Sequence, residues 1–232
     1  MKFSKLLCLV SFAAMLLPLS VQAQLIKGYG IKFGVNSTKA LINTRPSGLA
    51  RPEDLETQRR TGWNAAFFVE WLKSPVFSLV TQVEYAQRGF VEEWLPKIPE
   101  PPRPLRANSQ LDFISLPMMV KWQYAKARVS PFVIFGPRVD FLVNRKVGHD
   151  EYTVATPDPL NRLRVSANSA NARFFNGHAL GGNVGLGLTS NKLLRIPFLI
   201  EMRYNFDFTD QSDIKEFIAK KNAIDVWLGI KF

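Results

Sequence analysis

Apolar residues recur at every second position through most of the chain, in runs separated by polar or proline-rich stretches. The last run is the clearest: Ile224, Val226, Leu228, Ile230 and Phe232 alternate with Ala223, Asp225, Trp227, Gly229 and Lys231. A period of two with one wholly apolar face predicts a β-strand presenting that face to a nonpolar medium. Seven earlier runs read the same way. Lys27–Asn36 sets Tyr29, Ile31, Phe33 and Val35 against Gly28, Gly30, Lys32, Gly34 and Asn36, a glycine-lined face suited to a narrow barrel interior. Thr61–Lys73 carries Trp63, Ala65, Phe67, Val69 and Trp71 on its apolar face, and Val76–Phe90 carries Phe77, Leu79, Thr81, Val83 and Tyr85. Gln110–Gln123 presents Ile114, Leu116, Met118, Val120 and Trp122; Pro117 on its other face removes a ladder donor and predicts a bulge. In Val129–Val143 the outward row is Val133, Phe135, Val139 and Phe141. In Arg173–Thr189 it is Leu180, Val184, Leu186 and Leu188, and in Arg195–Phe208 it is Phe198, Ile200, Met202, Tyr204 and Phe206.

The connections alternate in length. Ser37–Arg60, Val91–Ser109 and Asn144–Ala172 are long, polar and irregular, and Thr209–Lys221 is of medium length with a short helix expected at Ser212–Lys220. Lys73–Pro75, Tyr124–Arg128 and Ser190–Leu194 are short. With both termini on one side, every short turn falls on that side and every longer loop on the other, the asymmetry of bacterial outer-membrane barrels. A soluble sandwich has no reason to sort its loops by length, and a soluble ligand-binding barrel places its apolar residues inside. The expected fold is therefore all-β: an eight-stranded antiparallel transmembrane β-barrel, an up-and-down meander.

The N-terminus fits export. Lys2 and Lys5 precede the uncharged run Leu6–Leu19, and Val21-Gln-Ala23 supplies a cleavage site before Gln24. Residues 1–23 are read as a signal peptide and 24–232 as the barrel domain. Cys8 leaves with the signal, which excludes disulfides and cysteine-based metal sites from the mature chain. The net charge of +11 falls to +9 without Lys2 and Lys5. The basic residues are scattered, so nucleic acid is not expected as a partner and anionic outer-membrane lipid is.

The polar faces carry Glu70, Glu84, Arg88, Lys121, Arg138, Asp140, Glu201, Arg203, Asp225 and Lys231. In an eight-stranded barrel these point into an interior only just wide enough for side chains, where opposite charges must pair. They read as an ion-pair plug in preference to a proton or ion path, and the strand number disfavours a diffusion pore. Tyr29, Trp63, Trp71, Tyr85, Trp122 and Tyr204 lie on apolar faces and are candidates for the aromatic girdles. Trp63 and Trp71 stand roughly 26 Å apart along a strand and about 20 Å apart after tilt, one near each interface.

Catalytic chemistry has little to draw on. His149 and His178 are the two histidines, and Ser169 is near His178 in sequence alone. A lipid-modifying enzyme would need a positioned histidine, and no enzyme activity is expected. Asp207, Asp210, Asp213 and Glu216 recur at three-residue spacing but lack the glycine and ligand spacing of a calcium loop. They read as a solvated loop, and neither metal nor cofactor is expected.

Gly30-Ile-Lys-Phe-Gly-Val-Asn36, Leu111-Asp-Phe-Ile-Ser-Leu-Pro-Met-Met-Val-Lys121, Pro131-Phe-Val-Ile-Phe-Gly-Pro137 and the closing strand resemble the PorT-like family of outer-membrane β-barrel proteins of Gram-negative bacteria. The family pattern has a glutamate where this chain has Ser115. The resemblance implies an eight-stranded barrel in the outer membrane, inserted by the barrel-assembly machinery, which reads Ile230 and Phe232 in the last strand. The family's namesake serves type IX secretion, so the resemblance also implies an accessory secretion component as an alternative to a structural or interaction barrel acting through its outer loops.

Overall fold

The computed structural model describes residues 25–44, 55–94, 105–124, 129–155, 162–168, 177–190, 197–211 and 217–232. The expected signal peptide, Ser169 and the prolines between Pro96 and Pro104 lie outside them. Ten strands follow one another: β1 (Ile26–Thr44), β2 (Leu55–Trp71), β3 (Phe77–Trp94), β4 (Leu105–Gln123), β5 (Val129–Val147), β6 (His149–Ala155), β7 (Arg162–Asn168), β8 (His178–Ser190), β9 (Phe198–Asp207) and β10 (Phe217–Lys231). Eight of them close a barrel in the order β1-β10-β9-β8-β5-β4-β3-β2, every pair antiparallel.

Closure follows from the pattern. Ile31, Phe33, Val35, Leu186, Leu228 and their equivalents stay exposed on the outside, while their neighbours along each strand are buried. A sheet that is apolar outside and polar inside leaves no unpaired edge to a membrane only if it closes on itself. The seam joins Gly30 to Lys231 and continues without slip to Thr44 and Phe217. Gly30 permits it: a Cβ there would collide with the Ile230 carbonyl oxygen and lie 2.7 Å from the Phe68 ring.

Several expected loops are strand instead. β1 runs on to Thr44 and β2 starts at Leu55, within the expected Ser37–Arg60 connection, and β3 and β4 likewise extend to Trp94 and from Leu105. The expected irregular segment Asn144–Ala172 holds the end of β5 and a two-stranded sheet of β6 and β7, whose pairing runs from His149 with Asn168 to Ala155 with Arg162. The expected helix at Ser212–Lys220 is overturned from residue 217 on, where β10 pairs with β1. Backbone pairing continues past the level at which the outward face ceases to be apolar, so the alternation ends before the strands do.

Pro117 makes no bulge. The β4–β5 register is unchanged on both sides of it, and the shift lies at Asp112/Phe113. On the β3 side the ladder skips Leu116 and Pro117 and resumes in the same register at Ser115 opposite Glu84. A single missing donor is absorbed as a gap in the ladder.

Candidate functional site

The interior is layered, and the order is read along the strands. Nearest the chain termini, Glu70 of β2 accepts from Lys121 of β4 at 2.7 Å and from Lys231 of β10 at 2.6 Å. Above this group, Phe68, Val80, Met119, Phe132, Ile134 and Leu199 form a buried apolar layer. Cations flank it: the Lys121 Nζ lies 4.3 Å from the Phe132 ring centre, and the Lys32 Nζ lies 5.6 Å from that of Phe68. Phe132 reaches the wall where Gly187 has no side chain; a Cβ there would collide with its ring.

The middle of the barrel holds a continuous chain of alternating charge. Lys32 donates to Glu201 at 3.0 Å, and the Arg203 Nε donates to the same carboxylate at 2.7 Å. Arg203 also contacts Glu84 at 3.4 Å, and Glu84 accepts from Arg88 at 3.2 Å. Arg88 donates to Asp140 at 2.9 Å; Arg138 lies 3.1 Å from Asp140 and donates to Asp207 at 2.8 Å. All eight side chains are nearly inaccessible to solvent. Buried ions incur a desolvation penalty of several kcal/mol each, which partners on both sides offset. Asp225 accepts from Asn205 at 2.7 Å and has no ion pair among the described residues.

Farther from the termini, Ala40, Phe90, Leu111 and Phe113 form a second apolar layer, with Leu142 and Val147 packed against it. The Lys221 Nζ lies 3.4 Å from the Phe113 ring centre. Two apolar layers with an ionic layer between them fill the barrel.

The ten charged residues expected inside all lie on the inner face, with Lys231 the most accessible at 17 %. The sequence reading leaves Lys32, Asp207 and Lys221 out of that group. Lys32 sits between Gly30 and Gly34 on the glycine face, a usable signal; Lys221 falls in an expected connection that is strand. Asp207 belongs by spacing to the acidic loop, but it is buried, pairs with Arg138, and accepts from Gln211 and from the Lys221 backbone N–H at 2.8 Å. Trp227 is also internal and fully buried, 5.0 Å from the Lys32 ammonium and 5.6 Å from the Arg203 guanidinium carbon.

The six girdle candidates all face outward. Tyr29 lies 5.9 Å from Phe232 at the termini end, where Trp122 is exposed and Trp71 donates to Thr81 at 2.8 Å. Trp63 and Tyr85 pack together toward the other end at 5.0 Å, and Tyr204 continues into Phe206 and Phe208. Beyond them the outer face turns polar: Arg60 donates to Asn108 and Gln110, and Gln110 and Asn144 donate to Asp112. His178 is exposed at the start of β8, and the side chain of His149 lies outside the described residues. Among the described residues no group of three His, Cys, Asp or Glu is placed to hold a metal.

The family model for the outer membrane protein beta-barrel domain matches residues 22–213. Among solved structures, the chain is similar to the outer membrane protein OprG from Pseudomonas aeruginosa, at 10 % identity and a TM-score of 0.46 over 90 % of this chain and 97 % of that one. It is also similar to Neisserial surface protein A, at 11 % identity and a TM-score of 0.39 over 89 % and 100 %. The attachment invasion locus protein Ail of Yersinia pestis matches at 12 % identity and a TM-score of 0.38 over 88 % and 98 %. No match was found among curated proteins.

Proposed function

Because the chain belongs to the outer membrane protein beta-barrel domain family, and is an integral protein of the outer membrane, we propose that it is a closed structural or interaction barrel that acts through its extracellular loops. The observation that supports this most is the filled interior: the ion chain from Lys32 to Asp207, enclosed by the Phe68 and Phe113 layers. An interior packed in this way supplies no aqueous path, which favours the loops at the far end as the part that meets a protein partner. Planar-bilayer recording on the reconstituted protein is expected to show no discrete conductance, and a steady open channel would overturn the closed reading. Crosslinking from residues 95–104 in intact cells is expected to capture a protein partner, and a barrel that always isolates alone would count against an interaction role.

A second reading, an accessory component of a type IX-like secretion apparatus, is supported by the PorT-like segments Leu111–Lys121 and Pro131–Pro137. Co-purification with secretion components would favour it.

A further inference from the structure

The central ion network is balanced: Lys32, Arg88, Arg138, Arg203 and Lys221 are matched by Glu84, Asp140, Glu201, Asp207 and Asp225, all buried. The group at the termini end is not. Lys121 and Lys231 share the single carboxylate of Glu70. Lys27, whose Nζ donates to the Ser74 carbonyl at 2.8 Å, is within electrostatic range of Glu70, Lys121 and Lys231. Among the described residues, three cations therefore lie near one acid.

The layer of Phe68, Met119 and Phe132 separates this group from the acids of the middle of the barrel. Compensation must come from the open end, where Lys231 is partly accessible. Ser78 stands directly opposite Lys121 in the β3–β4 ladder, is only 2 % exposed, and its hydroxyl has no hydrogen-bond partner among the described residues. A free hydroxyl donor beside surplus ammonium groups suits an oxyanion, since charge-assisted bonds to a phosphate use both kinds of donor. A cation is excluded by the surplus, and a neutral ligand would leave it unmet.

We propose that the periplasmic mouth of the barrel, formed by Lys27, Lys121, Lys231 and Ser78 around Glu70, binds a phosphate-bearing anion. A phospholipid headgroup and a free phosphate present the same chemistry, so the test has an arm for each.

The full chain in a nonionic detergent is titrated with inorganic phosphate by calorimetry, and after reconstitution with phosphatidylglycerol its retained lipid is counted by native mass spectrometry. Saturable phosphate binding supports the site and assigns it to a free anion; retention of phosphatidylglycerol alone supports it and assigns it to a headgroup. Replacing both exposed-side cations, Lys27→Gln with Lys231→Gln, is expected to weaken binding about tenfold or more. Glu70→Gln frees two ammonium groups and is expected to strengthen it, a change of sign that a purely structural role would not produce. Lys39→Gln, far from the mouth, is expected to change nothing. Heat-modifiable gel migration verifies that each variant is folded; if Glu70→Gln fails to fold, the double lysine variant decides. No saturable binding of either probe, or binding that the double variant leaves unmoved, overturns the proposal.

Discussion

Arg88 of β3 donates to Asp140 of β5 at 2.9 Å across the barrel interior, past β4, whose Ser115 stands beside Asp140. In the ladder Ser115 stands opposite Glu84 on one side and Asp140 on the other, and Arg88 holds both acids. Removing the guanidinium leaves Glu84 with Arg203 as its one remaining cation among the described residues and Asp140 with Arg138. Arg88→Met is expected to destabilise the barrel by ~3–5 kcal/mol. Urea unfolding followed by the heat-modifiable gel shift would measure the loss. A midpoint equal to that of the unsubstituted protein would mean that the pair is not formed in the membrane.

The same geometry makes position 115 a poor place for an acid. A carboxylate there would add a third acid beside Glu84 and Asp140, whose cations Arg88, Arg203 and Arg138 are already engaged. Ser115→Glu is expected to destabilise by several kcal/mol, whereas Ser115→Ala, which removes one buried neutral hydroxyl, should cost only ~1 kcal/mol. If the glutamate variant unfolds at the same urea concentration as the alanine variant, the interior has room and charge to spare that the ion chain does not suggest.

The seam offers a steric test. A side chain at position 30 meets the Ile230 carbonyl oxygen at its first carbon, so Gly30→Val must push β1 from β10 or displace the Phe68 ring. A cost of ~1–3 kcal/mol is expected from overpacking. Gly177→Ala, where a Cβ would meet nothing within 4 Å, is the control and is expected to be neutral. Equal unfolding midpoints for the two variants would contradict the closed seam.

Much of the barrel is legible in the sequence because lipid enforces a simple rule on the outer face. Every outward residue from Tyr29 to Val35, and from Ile224 to Phe232, has to be apolar or aromatic, and the interior follows by parity. The rule stops at the membrane boundary. Thr38, Lys39 and Lys221 pair in the same ladder as Phe33 and Leu228, but they meet water or the upper interior, so their alternation carries no apolar signal. The β6–β7 pair escapes sequence reading because its stretch of the chain carries no uninterrupted apolar row. The partners within the ion chain are not legible at all: that Arg88 binds Asp140 while Arg203 reaches Glu84 depends on barrel tilt and radius, which no local pattern encodes.

Phe232 closes the barrel through backbone and ring together. Its N–H donates to the Tyr29 carbonyl at 2.6 Å, its own carbonyl oxygen accepts from the Tyr29 N–H at 3.2 Å, and its ring lies 5.9 Å from that of Tyr29. Neighbouring Lys231 is held by the Pro197 carbonyl through its backbone and by Glu70 through its side chain. Deleting Phe232 removes the last rung of the seam and an exposed aromatic at the termini end of the barrel, while leaving the ion chain intact. The expected result is a lower level of protein in the outer membrane than any deletion within residues 95–104 causes, because those residues belong to no described strand of the barrel. Cell fractionation with quantitative blotting measures it. Phe232→Trp, which keeps an aromatic ring and the backbone pair, is expected to restore the level and Phe232→Asp is not; equal levels for all three variants would show that the last residue has no part in closing or inserting the barrel.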